Sequence, residues 1–252
     1  MLHTYRSNIE QADFANGLPD TLKISESGQF TTIYAPFEYI NTKARVVLCG
    51  ITPGQSQALI ALKAAQSGFQ QGLPIADILP IAKGAASFAG QMRNNMIKMF
   101  DFVGLDRYLG IESCSALFSE QSHLAHYMSA LRYPVLKGGK DFSGGPDIVR
   151  NAYLWEQCQR MMSEDITQLP NSAVYIPFGK GVDEAFKRLI AKGQLRQEQV
   201  LFGFPHPSGA NAERIAYFCQ TKSKEALSKT TNACTWDARR TNVLSQVARL
   251  PI

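Results

Sequence analysis

The sequence predicts an α/β fold, a single-domain three-layer αβα sandwich around a central, mostly parallel four-stranded sheet. Two observations predict it. Short apolar runs alternate with longer stretches of helical periodicity, the pattern of strands joined by crossover helices. Two of those runs, residues 44–49 and 199–204, lead into Gly/Pro-rich turns, Gly50-Ile51-Thr52-Pro53-Gly54 and His206-Pro207-Ser208-Gly209-Ala210-Asn211. Loops that leave the carboxyl ends of parallel strands converge on the ligand crevice of such sheets, which makes these two turns the candidate site. A chain of 252 residues is compatible with one domain and long enough to bury a full core.

Taken in order, residues 1 to 43 read as a polar entry segment, and 45–49 as the first strand. Residues 55–67 are Ala- and Leu-rich with helical spacing, and Gly68 is placed to stop that helix. Residues 72–84 form a Pro-interrupted connection with a short helix around 75–79. From 87 to 103, Met92, Met96, Met99 and Phe100 fall on one helical face, which Gly104 ends. Residues 108–117 look like the approach to a second strand. The stretch 133–145 is the most Gly-rich and reads as an irregular surface loop, a candidate substrate-facing lid. Residues 152–169 are an amphipathic helix stopped by Pro170, 173–178 a third strand, 182–192 a helix after the Gly179-Lys180-Gly181 turn, and 199–204 the fourth strand.

Composition sets outer limits. Hydrophobic residues make up 45% and charged residues 19%, ordinary for a soluble globular protein. No apolar run approaches a membrane span, and the amino end lacks the apolar core of an export signal. Five cysteines without CxxC spacing point to reduced thiols in the cytoplasm and away from a metal site. Residues 214–252 hold seven Lys/Arg against two Asp/Glu, which accounts for the whole formal charge of +5. Such a segment is either the footprint of a nucleic-acid phosphate backbone or a solvated basic helix and tail, and charge alone favours the second.

The two turns have chemical logic of their own. His206 lies between two prolines that fix the backbone. A neutral imidazole held that way can donate a hydrogen bond to an oxygen gaining charge in a transition state. Ser208 and the backbone N–H groups near Gly209 can grip a phosphate; equally, Ser208 or Asn211 can start a helix at Ala212. In the early turn Gly50 permits close approach of a ligand, and Gly54 allows a positive φ before the following helix.

With these motifs in place, the chain resembles the uracil-DNA glycosylase superfamily. Its mismatch-specific and single-strand-selective branches carry Gly-x-Asn-Pro-Gly in the first loop and His-Pro-Ser-Pro or Asn-Pro-Ser-Gly in the last. Ser87-Phe88-Ala89-Gly90-Gln91-Met92-Arg93 looks like the segment whose Phe stacks on the extruded base, and Val174–Lys180 like the third core strand and its Gly turn. The resemblance implies hydrolysis of a base–deoxyribose bond in DNA by a monomer without metal or cofactor. Thr52 and His206 are its implied catalytic residues, holding water and stabilising the departing base. Gly50, Ile51, Pro53, Gly54, Phe88, Pro207, Ser208, Gly209 and Asn211 are the implied base and DNA contacts, with Phe88 equally readable as core. Apart from the resemblance, Arg132 in the segment Leu131-Arg132-Tyr133-Pro134 can meet a phosphate or a base edge, although surface arginines without such a role are commoner.

Two positions depart from the family pattern. Thr52 stands where members commonly place Asp, Asn or Glu, and a threonine hydroxyl orients water only by hydrogen bonding. Loss of a general base typically costs about 10²–10⁴ in rate. Another carboxylate can substitute, with Glu112, Asp141 and Asp147 as candidates on nearby loops, although most such residues are simply solvated. Where the family often reads uracil with Asn, this chain offers Ser113, Cys114 or Ser115. Beside the glycosylase reading stand a binding module that recognises an unusual base without cleaving it, and a hydrolase or transferase of free nucleosides.

Overall fold

A computed structural model describes residues 1–88, 90–145 and 147–251. In chain order helix α1 (Leu2–Gln11) precedes strands β1 (Lys23–Ser27), β2 (Phe30–Ile33) and β3 (Val46–Gly50). Helices α2 (Gln55–Gln70), α3 (Ile75–Ala86), α4 (Gln91–Val103) and α5 (Leu105–Leu109) come next. Strands β4 (Ala125–Ser129), β5 (Val135–Lys137) and β6 (Lys140–Asp141) lead to α6 (Asp147–Arg150) and α7 (Ala152–Gln168). Strand β7 (Val174–Pro177) is followed by α8 (Lys180–Ala191), α9 (Ala212–Phe218) and α10 (Ala233–Val247). The fold is α/β, and no helix among the described residues is long and apolar enough to cross a membrane.

The chain forms two compact units. The first comprises residues 1–40, 50–87 and 127–168; the second comprises 41–49, 88–126 and the chain from 169 onward. In the first, β1, β2, β5 and β6 make an antiparallel sheet in that order. The Gly-rich stretch expected to be an irregular loop is therefore partly β5 and β6, turning at Gly138 and Gly139 with φ of 57° and 75°. Positive φ at both central residues matches the tight turns that suit strand twist. Thr32, buried on β2, bonds the Tyr153 hydroxyl at 2.9 Å and Gln157 Oε1 at 3.1 Å, fastening the sheet to α7. The core gathers Leu2, Ile9, Leu22, Tyr34, Leu62 and Phe69, each full burial of such a side chain being worth roughly 1.5–3 kcal/mol.

Gly68 does not stop α2. It is buried within the helix, where a Cβ would lie 2.7 Å from Ile78 Cγ1, so it lets α3 approach. The connection read as carrying a short helix is the twelve-residue α3, with Pro80 inside it.

In the second unit, residues 46–49 of β3 pair in parallel with 174–177 of β7, Val46 opposite Val174. Both segments are buried throughout, as expected of parallel strands covered on two faces. β3 is the middle strand of a three-stranded sheet of order β4-β3-β7, not one of four. The expected fourth strand is reduced to one parallel bridge between Tyr175 and Val200. Side chains of α10 take the carbonyls that would extend it: Gln246 donates to Val200 O at 3.2 Å and Asn242 to Phe202 O at 3.0 Å. A Cβ on Gly203, at φ 128°, would lie 3.2 Å from Arg239 O, so α10 sits directly against this backbone.

The second strand also moves. Residues expected to lead into it form α5 and a 3-10 turn, Cys114–Phe118, and the strand itself is β4 at Ala125–Ser129. Around α4, Phe100 meets Phe178 and Phe204 at ring distances of 6.3 and 5.6 Å, and Phe204 meets Phe218 at 5.7 Å. Phe100 of α4 packs into this phenylalanine cluster, and Met96 and Met99 of the same helix are buried.

Candidate functional site

The first loop, residues 50–54, lies in the first unit, partly exposed except for Pro53, and is tied to the chain by backbone and side-chain hydrogen bonds. Ala130 N–H donates to Gly50 O and Leu131 N–H to Ile51 O, both at 2.9 Å. Thr52 Oγ1 donates to Tyr133 O at 2.9 Å and accepts from Val135 N–H at 3.1 Å. A hydroxyl has one donor and two acceptor positions, so one lone pair remains for a water. Pro53 is buried, and Ile51 packs where a Cβ on Gly144 would come within 2.8 Å of its Cδ1. Gly54 has φ −79°, not the positive value expected. A Cβ there would lie 2.9 Å from Asp141 Oδ2, the far end of an exposed side chain.

Of the carboxylates considered as substitutes for a missing base, Asp141 accepts from Gln55 N–H at 2.9 Å at the start of α2. Asp147 pairs with Lys137 at 2.8 Å, and Glu112 is exposed. Arg132 donates to Asp165 Oδ1 at 2.6 Å and to Met161 O at 3.2 Å, so its guanidinium is engaged with α7.

Ser113, Cys114 and Ser115 lie in the second unit and precede β4, not the loop that leaves it. Ser113 Oγ donates to Asp101 Oδ2 at 2.8 Å, Cys114 N–H donates to Asp101 Oδ1 at 2.7 Å, and Ser115 N–H donates to Ser113 Oγ at 3.1 Å. Together they start the 3-10 turn. Burial pushes the Cys114 thiol far above its ordinary range, with Asp101 adding to it.

Phe88 is 8% exposed, with its ring edge-on to Phe178 at 6.1 Å. Its φ is 45°, a left-handed conformation uncommon for an aromatic residue and typical of a constrained turn. Ala89 of the same segment lies outside the described residues.

The last loop is the most organised part of the candidate site. His206 Nδ1 accepts from Ser208 N–H at 3.2 Å. Nδ1 is therefore the unprotonated nitrogen, and in the neutral ring Nε2 carries the hydrogen. Burial holds the imidazole below its usual pKa, favouring that neutral form. Pro207 O accepts from the buried Asn95 amide at 2.8 Å, and Asn95 Oδ1 accepts from Gln91 at 3.0 Å. Asn211 donates to Ser208 Oγ at 3.0 Å and accepts from Arg214 at 2.7 Å. Gly209 opens the 3-10 turn into α9, and Asn211 precedes that helix without capping it by its side chain.

A cavity of about 380 Å³ opens beside this loop within the second unit, its lining including His206, Asn211, Lys180, Asp183, Arg214 and Arg239. Burial raises the Asp183 carboxyl to about 6, against the opposing pull of Arg239 and Lys187. Sequence reasoning missed Asn95 and the cavity wall. Asn95 had left a signal, an amide three residues after Met92 and four before Met99 on an apolar helical face. Trp236 and Arg239, which also line the cavity, are brought to it by α10 and had left none.

No family model matches the chain, and no solved structure matches it. It is similar to the uncharacterized protein YoxB of Bacillus subtilis (strain 168), with 34% identity over 230 residues, 90% of this chain and 88% of YoxB.

Proposed function

The chain belongs to the family that includes YoxB, and we propose that it hydrolyses the N-glycosidic bond of uracil or a related deaminated base in DNA. The reading rests on one observation, the His206 imidazole with Nδ1 taken by Ser208 N–H. A neutral ring of that tautomer donates from Nε2 alone. As the bond between C1′ and the base nitrogen breaks, the electron pair leaves with the base, and a hydrogen bond to its oxygen strengthens as charge develops. Water then adds at C1′ and releases its proton to solvent. Thr52, with its donor on Tyr133 O, is no general base, so the rate would rest on the leaving group. The protein would act as a cytoplasmic monomer without metal or cofactor, the basic segment from Arg214 onward tracking DNA phosphates.

A second reading has its own support. The Thr52 hydroxyl is engaged with backbone and supplies no general base, which suits a module that binds a modified base without cleaving it.

Single-turnover assays with excess protein on single- and double-stranded oligonucleotides separate the two. The substrates carry uracil, hypoxanthine, xanthine or mismatched thymine. Abasic-site formation that His206→Ala abolishes supports the hydrolase. Base-selective binding without cleavage moves the assignment to the binding module, and the absence of both refutes the two readings together.

A further inference from the structure

The cavity beside the last loop is built unlike a base pocket. Lys180 comes from the first turn of α8, Arg214 from α9 and Arg239 from α10, and all three line it. Among the described residues none of the three makes an ion pair with a carboxylate: Arg214 donates to the Asn211 amide oxygen, and Arg239 lies over the Trp236 ring at 4.9 Å. The amino ends of two full-length helices also meet here. Gly179 and Lys180 open α8, and Asn232 and Thr235 open α10, where Asn232 Oδ1 accepts from Thr235 N–H at 2.9 Å. Helix amino ends carry partial positive charge. Thr230 and Thr235 add hydroxyl donors, and Asp183 is the one carboxyl on the wall. Even with Asp183 ionised, the lining keeps an excess of two positive charges.

We propose that this cavity holds the phosphate group of a nucleotide, gripped by Lys180, Arg214 and Arg239 beside the His206 ring. Arginine and lysine donors give shorter, stronger hydrogen bonds to phosphate oxygens than neutral donors do. The volume accommodates a phosphate with part of its sugar. That the ligand is an anion follows from the lining; that it is a nucleotide rests on the DNA reading above. The site would anchor the sugar–phosphate next to the group that works on the base, so that binding energy gained away from the reacting bond orients it.

Calorimetric titration of the full chain at low salt tests this with four probes: inorganic phosphate, thymidine, thymidine 5′-monophosphate and a short single-stranded oligonucleotide. The variants are Lys180→Gln and Arg214→Gln. Lys180 is exposed at the first position of its helix, so its replacement leaves the fold intact. Phosphate-bearing probes are expected to bind where thymidine does not, and Lys180→Gln to weaken them by about tenfold or more. With the oligonucleotide, Lys180→Gln should lower the logarithmic salt dependence by about one. Monophosphate binding alone assigns a free nucleotide, and oligonucleotide binding alone assigns a strand. Phosphate binding that persists while the cleavage assays fail keeps this inference and removes only the hydrolase. Thymidine binding as tightly as its monophosphate, or phosphate affinities unchanged in both variants, would overturn it.

Discussion

At the scale of single residues, the distinction that matters is between a side chain that is present and one that is available. Thr52 is present in the first loop, but its hydroxyl joins Tyr133 O to Val135 N–H. Thr52→Val leaves both backbone groups unpaired and should cost about 1–3 kcal/mol of stability; Thr52→Ser should recover most of it, read from denaturant midpoints. His206 is present and available through Nε2. If the hydrolase reading holds, His206→Ala should lose single-turnover rate far more than DNA affinity, because the bond strengthens only as charge develops. Equal losses would make it a ground-state contact. Asp183 titrates in the folded chain at about 6 against an ordinary 3.8, so between those values the folded chain keeps a proton that the unfolded chain has released. The stability it contributes is full below pH 3.8 and lost as pH rises through about 6. Asp183→Asn should therefore raise the denaturant midpoint near pH 7 and leave it unchanged below about pH 4.

Elements decide which of those residues can act together. Close helix approach in the first unit depends on Gly68, where a Cβ would lie 2.7 Å from Ile78 Cγ1. Gly68→Val should cost about 1–3 kcal/mol by overpacking, and a thermal midpoint unchanged from wild type would show that α2 and α3 can part freely. In the second unit the loop from 222 to 231 is tied to Glu213 of α9. Ser228 donates to that carboxylate through Oγ at 2.6 Å and N–H at 3.1 Å, Thr231 through Oγ1 at 2.5 Å, and Lys222 at 2.9 Å. The Ser228 and Thr231 hydroxyls first, then Lys222, lower the Glu213 carboxyl to about 2 from 4.5. Its contribution is present above pH 4.5 and lost as pH falls toward 2. Amide-exchange protection factors in residues 222–231, taken against the intrinsic rate at each pH, should fall over that range, and Glu213→Gln should lower them at neutral pH.

At the scale of the whole molecule, the sequence's legibility follows its periodicities. Strands β3 and β7 were legible because both are continuous apolar runs ending in turns, and α4, α7 and α8 because their apolar faces repeat at helical spacing. The antiparallel sheet was not legible: β5 and β6 span three and two residues, too short for alternation to show beside four glycines. The fourth strand was overestimated because apolar residues 200–204 pack under α10 instead of extending the sheet, a tertiary contact that no local pattern records. For the same reason the last loop was found and its cavity was not, since Lys180, Arg214 and Arg239 come from three separate helices. None of the five cysteines is in a disulfide; Cys49, Cys114 and Cys158 are buried, Cys219 is partly so, and Cys234 is exposed. Burial also raises the Cys219 thiol to about 11, despite Lys98. Alkylation of the native chain followed by mass spectrometry should therefore mark Cys234 first and the buried three only on unfolding.

The proposed chemistry depends on His206 being a neutral donor through Nε2, and one measurement addresses that without any substrate. A long-range proton–nitrogen correlation spectrum of the imidazoles, assigned by comparison with His206→Ala, reports which ring nitrogen carries the hydrogen as pH is lowered. The expected spectrum has Nδ1 unprotonated and Nε2 protonated at neutral pH, with a titration midpoint below the ordinary 6.5 of histidine. A ring protonated on Nδ1, or one that becomes imidazolium at or above 6.5, would contradict the account.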